Sequence, residues 1–291
     1  MAQSRPLLSL MRPQQWTKNA FVFVGLLFGH AWSDPVMVRD VVVMAVAFSL
    51  ISSAVYVFND ITDRERDRVH PRKRKRPLAA GSVSVGTASG LAAFLLVFAL
   101  ALAACVSTAG FLILIGYAAM NLAYSMKLKN VPILDVFIIA AGFLLRVLAG
   151  TAGVGIPPSN WLLLCALMLT LFLGFAKRRA EMMENENNKT EDPRQVLQAY
   201  NSTLLDKMIA ITAACVLMSY ALYTVNSDTM RIHDTENLGY TLPFVIYGVF
   251  RYMFLLHRAD KGTDPSVDLI TDPHILGALA GWAILVAWLI A

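Results

Sequence analysis

The chain has 291 residues, of which 57% are hydrophobic and 15% charged, with a formal net charge of +5. A soluble globular chain carries nearer to about a quarter charged residues, and a mean hydropathy of +0.56 leaves too few polar side chains to cover such a surface. The composition excludes an ordinary water-soluble domain and predicts an all-α, polytopic membrane protein.

Apolar runs of spanning length fall at 16–33, 38–58, 84–107, 109–126, 131–154, 159–176, 205–226, 239–256 and 274–291. Each approaches the roughly 20 residues that cross ~30 Å of hydrocarbon at ~1.5 Å per residue. In lipid the backbone must satisfy its own hydrogen bonds, so these runs are predicted as about nine transmembrane helices. The alternating segments of a β-barrel, about ten residues each, are absent. Cys105, Cys165 and Cys215 lie inside apolar runs at spacings that match no metal or disulfide framework, and read as buried hydrophobes. Arg5, Arg12 and Lys18 precede or open the first run, and no convincing cleavage site follows, so that run is expected to be retained as a helix.

Charge placement predicts topology. Of the 25 Lys and Arg residues, 21 lie in the N-terminal stretch or in the segments 59–83, 127–130, 177–207 and 257–273. The alternate connections hold only Arg39 and Arg231, while Arg146 and Arg251 fall within predicted helices. This asymmetry fits nine crossings with a cytoplasmic N-terminus and an external C-terminus. The external connections are short, so function is expected at the cytoplasmic face, with loops 59–83 and 177–204 forming a cap over the active site.

The sharpest constellation closes the second apolar run: Asn59, Asp60, Asp63 and Asp67. If the helix continues, Asn59, Asp63 and Asp67 share one face at i, i+4, i+8, with Asp60 beside it. Three carboxylates and an amide are oxygen donors suited to Mg²⁺, which completes its shell with water and substrate phosphates. The competing reading is a solvated helix end neutralised by Arg64, Arg66 and Arg68. Carboxylates gathered where an apolar helix leaves the membrane repel one another unless a cation joins them.

The remaining candidates are basic. Arg72 to Arg76 form five consecutive cations that hold a loop inside and touch anionic headgroups; Arg76, preceding Pro77, is the candidate for a specific role. Tyr124, Lys127 and Lys129 form a short turn able to hold a phosphate. Asp135 follows in a spanning helix, where a carboxylate is a functional candidate by default. Lys177, Arg178 and Glu181 leave the sixth run either as an anion clamp or as i, i+4 ion pairs. Lys18 and Asn19 open the first run, either snorkelling to the interface or lining a cleft.

With these motifs in place the chain resembles the UbiA superfamily of intramembrane prenyltransferases over nearly its whole length. The resemblance rests on nine helices, Asn59-Asp60-x-x-Asp63-x-x-x-Asp67, Arg76-Pro77-Leu78, and Tyr124-Ser125 with Lys129 and Asp135. It implies a single domain over 1–291, a lipid-open central cavity, an Mg²⁺-diphosphate donor at the cytoplasmic end, and a homo-oligomer in the cell membrane. Aromatic prenyltransferases of the superfamily carry a second Asp-x-x-x-Asp motif in the sixth loop. Here Lys177-Arg178-Arg179-Ala180-Glu181 stands in its place, and with Arg12-Pro13-x-Gln15-Trp16-x-Lys18-Asn19 it is similar to the decaprenyl-phosphate phosphoribosyltransferase branch.

That branch implies transfer of 5-phosphoribose from phosphoribosyl diphosphate to a polyprenyl phosphate. Asp60, Asp63, Asp67 and Lys177 are then expected to act in catalysis. Lys18, Asn19, Arg66, Arg76, Tyr124, Lys127, Lys129, Asp135, Lys177, Arg178 and Glu181 would bind substrate. Asn59, Asp60, Asp63 and Asp67 would hold Mg²⁺. The acceptor phosphate is already anionic near neutral pH and needs no general base, in keeping with the absence of a persuasive catalytic histidine. Prenyl transfer to an aromatic or other small acceptor is the alternative. A transporter would place Gly- or Pro-broken helices near the midplane rather than an acidic motif at a helix end, and no nucleic-acid partner is expected.

Overall fold

The computed structural model describes residues 4–69, 73–188, 195–257 and 271–290. Arg72, Lys189, Arg194, Arg258 and Lys261, all counted in the topology argument, and the C-terminal Ala291 lie outside the described residues. Among the described residues the secondary structure is helical throughout. Eight helical segments among the described residues are long and apolar enough to cross a membrane: Pro35–Thr62, Val85–Val106, Thr108–Met126, Leu134–Val154, Asn160–Glu184, Ser202–Val225, Asn237–Leu256 and Pro273–Ile290.

The first apolar run departs from the expected α-helix. Helix α1 (Ser4–Met11) is followed by a 3₁₀ segment over Pro13–Phe23 and a short α2 (Val24–Phe28). At about 2.0 Å per residue the 3₁₀ geometry stretches each residue further than an α-helix does, so this segment with α2 reaches a total of about 30 Å. Its conformation answers to packing. A Cβ on Gly150 would sit 1.7 Å from the Val22 carbonyl oxygen, so the 3₁₀ backbone lies directly on a residue that only glycine can occupy.

There follow α3 (Pro35–Thr62), the short α4 (Arg64–Val69), α5 (Val85–Val106), α6 (Thr108–Met126), α7 (Leu134–Ala149), α8 (Asn160–Asn188) and α9 (Ser202–Val225). The short α10 (Ser227–His233) precedes α11 (Leu242–Leu256), and α12 (Pro273–Ile290) closes the described chain. Their starts are chemically marked. Asp34 accepts from the Val36 and Met37 amides with Pro35 at the first helical position, and Ser84 caps α5. Ser107 alone turns α5 into α6: its backbone is extended, and its hydroxyl accepts from Gly110 N while donating to Gly153 O. Helix α8 runs to Asn188, well beyond the apolar run that begins it, and so carries Lys177, Arg178 and Glu181 on helical backbone.

The chain divides into two compact units, Met1–Lys129 with Gly142–Pro158, and Asn130–Ala141 with Ser159–Ala291. In the first, Val41, Met44, Phe48, Ile51 and Val55 of α3 pack with Leu114 and Tyr117 of α6 and with Ala99 and Ala103 of α5. Arg146 is buried there without a carboxylate partner among the described residues. Its guanidinium donates to Asn19 Oδ1, Gly142 O and Tyr117 OH, and lies 5.0–5.2 Å from the Phe48, Tyr117 and Phe143 rings. Hydrogen bonds and ring quadrupoles take the place of a counter-ion. In the second unit the core gathers Phe172, Phe175, Leu205, Ile209, Tyr252 and Leu255. Arg251, unexplained by the sequence, pairs there with Asp272 at 2.8 Å, and Asp272 caps the start of α12 through the His274 and Ile275 amides.

Candidate active site

The acidic motif sits at a joint. Helix α3 ends at Thr62, Asp63 caps it, and α4 begins at Arg64. Backbone bonds from Asp63 N to Asn59 O (2.9 Å) and from Asp67 N to Asp63 O (2.8 Å) carry the i, i−4 pattern across the break. The condition set on the motif is therefore met in substance: the three residues stack one helical turn apart even though the helix is interrupted.

Every member of the motif meets a partner in the first unit. Ser125 Oγ donates to Asn59 Oδ1. Lys129 Nζ lies 3.0 Å from Asp63 Oδ1. Arg76 Nη1 reaches Asp67 Oδ2 at 2.7 Å and Asp60 Oδ1 at 3.1 Å. Arg12 Nη2 takes the same Asp60 oxygen at 2.5 Å. Asp60 and Asp67 are buried, while Asp63 keeps 33% of its side chain exposed. Three carboxylates thus face three cations. Cations from the chain itself relieve the repulsion that the sequence reading assigned to a metal.

Among the described residues, no group of three or more His, Cys, Asp or Glu side chains stands close enough to hold a metal ion. The donor chemistry nonetheless suits a hard cation. Asp63 Oδ2 and Asp67 Oδ1 have no hydrogen-bond partner among the described residues, and magnesium sites characteristically use one or two carboxylates, with water and phosphate completing the shell.

The other expected site residues separate. Arg66 and Lys127 are exposed, as is Lys18, and Tyr124 is half-buried. Asn19 is buried, and both ends of its amide are engaged: Oδ1 accepts from Arg146, and Nδ2 donates to Ser49 Oγ at 2.9 Å. That places Asn19 in the packing of the 3₁₀ segment.

The sixth-loop residues lie in the second unit. Arg178 Nε donates to Asp135 Oδ2 at 2.6 Å, and Arg178 Nη1 pairs with Glu181. Arg178 therefore forms an i, i+3 pair with Glu181, where the sequence suggested Lys177 at i, i+4. Tyr200, which sequence reasoning missed, donates to Asp135 Oδ1 at 2.9 Å and accepts from Ile133 N at 2.6 Å. Burial, with the carboxylate beside it, pushes the Tyr200 phenol up to about 12. Ile133 has a φ of 69°, a conformation uncommon for a β-branched residue, and the Tyr200 hydroxyl bonds its amide. Lys177 is the exposed cation of its run, and Arg179 pairs instead with Asp206 at 2.5 Å.

Arg12 is the other omission. Its sequence signal was the Arg12-Pro13-x-Gln15-Trp16 motif, which carried part of the resemblance and entered the charge count without placing Arg12 among the site residues.

The UbiA prenyltransferase family model matches residues 19–267. The chain belongs to the UbiA prenyltransferase family. It is a multi-pass membrane protein and a member of a transferase family. It is 34% identical over 274 residues to the decaprenyl-phosphate phosphoribosyltransferase of Corynebacterium glutamicum, covering 90% of this chain and 80% of that protein. The protein of the same name from Mycobacterium tuberculosis H37Rv is 37% identical over 222 residues, covering 75% and 73%. Among solved structures, a UbiA homologue from Archaeoglobus fulgidus bound to GPP and Mg²⁺ superposes with a TM-score of 0.70 at 19% identity, covering 98% of this chain and 96% of that one. This last likeness carries the fold.

Proposed function

We propose that this protein transfers 5-phosphoribose from phosphoribosyl diphosphate to a polyprenyl phosphate of the decaprenyl type and releases diphosphate. Two relatives at 34% and 37% identity carry the name of that reaction. The observation that carries the reading on this chain is the charge-balanced cluster in the first unit, in which Asp60, Asp63 and Asp67 face Arg12, Arg76 and Lys129. A charge-balanced cluster costs less to bury at a membrane boundary than unpaired carboxylates would, and a divalent cation added to it creates an excess of positive charge that a diphosphate offsets.

Asp63 and Asp67, with the Asn59 amide oxygen, are the residues that would hold Mg²⁺, which when bound neutralises charge on the departing diphosphate. Lys129 and Arg76 bring cations to the same carboxylates and can share them with phosphate oxygens. Nε and Nη2 of Arg76 have no partner among the described residues. The acceptor phosphate is an anion near neutral pH and attacks ribose C1 without surrendering a proton to the protein. No histidine belongs to the described cluster. Catalysis then rests on positioning and charge stabilisation. In the second unit, Lys177, the exposed member of the 177–179 basic run, would bind substrate. Arg178 and Asp135 neutralise one another, which trims the surplus of cations anticipated from the sequence.

The cytoplasmic placement of loops 59–83 and 177–204 as a cap, the external C-terminus and self-association belong to the same proposal. Cysteine labelling in oriented vesicles tests the first two, and mass measurement in detergent the third. Prenyl transfer is the second reading, favoured by the GPP-bound A. fulgidus homologue. Purified protein offered Mg²⁺ with labelled phosphoribosyl diphosphate or geranyl diphosphate separates the two. Transfer from geranyl diphosphate to an aromatic acid, with none from phosphoribosyl diphosphate, would leave only the family.

A further inference from the structure

We propose that Asp60 is a positioning residue that yokes Arg12 and Arg76 into a two-guanidinium receptor for a substrate phosphate group, and that it is not a ligand of the divalent ion. The inference deepens the function proposed above and rests on it.

Asp60 lies on the last turn of α3 with 3% of its side chain exposed, and a single oxygen, Oδ1, accepts from both guanidiniums. Two like charges drawn to one atom repel each other, and a buried carboxylate between them offsets that repulsion. An added divalent cation on the same carboxylate would restore the repulsion. Asp63, by contrast, is one-third exposed and meets a single lysine.

The placement of Arg12 is built into the chain. Its backbone is left-handed, with φ 51° and ψ 60°, a conformation disfavoured for any residue with a Cβ. Neighbours on both sides hold it there. Ser53 Oγ donates to Met11 O at 2.9 Å, and Trp16 Nε1 donates to Ser53 Oγ at 3.0 Å. The Tyr56 ring lies 5.2 Å from the guanidinium carbon. An arginine serving only as a topology signal requires none of this.

The pair retains unused donors. Nε and Nη1 of Arg12, and Nε and Nη2 of Arg76, have no partner among the described residues, and the two side chains are 29% and 32% exposed. Planar forks of this kind match the oxygens of a phosphate. The ligand is therefore a phosphate group, of either the donor or the lipid acceptor.

Two measurements on the detergent-purified full chain decide the matter. The first is Mn²⁺ binding by electron paramagnetic resonance, without substrate. Asp60→Asn should keep the wild-type affinity, while Asp63→Asn should weaken it by about tenfold or more. The second is steady-state transfer. Asp60→Asn and Arg12→Met should each raise KM for one phosphate substrate by about tenfold, with the loss in KM rather than kcat, and the double variant should be no worse than either single one. Whichever substrate shows the rise identifies the phosphate held. Arg12→Lys, which keeps the charge and loses the fork, should resemble Arg12→Met and stands in if Asp60→Asn fails to fold. Loss of Mn²⁺ affinity in Asp60→Asn equal to that in Asp63→Asn would make Asp60 a metal ligand. Unchanged KM for both substrates in Arg12→Met would remove the receptor. If wild-type protein transfers no phosphoribose, the functional reading fails by itself. The Mn²⁺ titration, with pyrophosphate binding to wild type and Arg12→Met, then still decides the role of Asp60.

Discussion

Arg178 Nε donates to Asp135 at 2.6 Å, and the two side chains are 1% and 0% exposed. A basic run that resembles a substrate clamp thus spends its central residue on anchoring α8 to the start of α7, while Lys177 beside it remains exposed. Alanine at the two positions should have different consequences. Arg178→Ala strands a buried carboxylate and should cost about 3–5 kcal/mol of stability, seen as a lowered unfolding temperature in detergent. Lys177→Ala should unfold like the wild type and lose transfer activity. Wild-type stability in Arg178→Ala would contradict the anchoring role, and wild-type activity in Lys177→Ala would reduce that residue to a topology signal.

Tyr200 holds the other oxygen of Asp135 and the amide of Ile133. Tyr200→Phe keeps the ring and removes the hydroxyl, leaving both groups short of a partner at a cost of about 1–3 kcal/mol. Hydrogen exchange at Ile133 should accelerate. Because burial raises the phenol to about 12, its contribution is complete below the ordinary tyrosine range near ~10 and is lost as pH rises through about 12.

Asp63→Asn or Asp67→Asn should lower turnover by on the order of 100-fold or more while leaving helix content intact, because each removes charge at the developing leaving group. Circular dichroism and labelled-donor transfer on the same preparation check both parts. An active double variant would remove these residues from the reaction.

The donor should be recognised through its 5-phosphate as well as its diphosphate. Removing a charged hydrogen-bonding partner typically costs about 2–5 kcal/mol, so ribosyl diphosphate should be a far poorer donor at matched Mg²⁺. Equal rates from the two donors would exclude a 5-phosphate pocket.

Asp272, in the second unit, supplies a pH dependence of its own. Hydrogen bonding to Arg251, joined by the Ile275 and His274 amides, holds its carboxyl down at about 2. The folded value lies below the unfolded one, so the stabilisation is present above the ordinary carboxylate range near ~4 and is lost as pH falls through about 2. The difference in unfolding temperature between wild type and Asp272→Asn should be largest near neutral pH and shrink between about pH 4 and 2. A difference that does not change with pH would show that the caps, rather than the charge, carry the effect.

Composition and the spacing of apolar runs determined the membrane-spanning helical class, since no other backbone arrangement in this pattern satisfies its hydrogen bonds in lipid. The acidic motif and its i, i+4 repeat were equally legible, because residues one turn apart neighbour one another in any helix. Tertiary structure decided how the first apolar run folds, because close packing of Val22 on Gly150 is a long-range contact that no local propensity encodes. It also decided which charges are spoken for. Arg12 lies 48 residues from Asp60, and Tyr200 lies 65 from Asp135. The sign of a side chain is local, whereas its partner is chosen by where the fold brings the two together. Neighbouring cations such as Lys177 and Arg178 read alike in sequence, and only burial separates the exposed one from the one already neutralised.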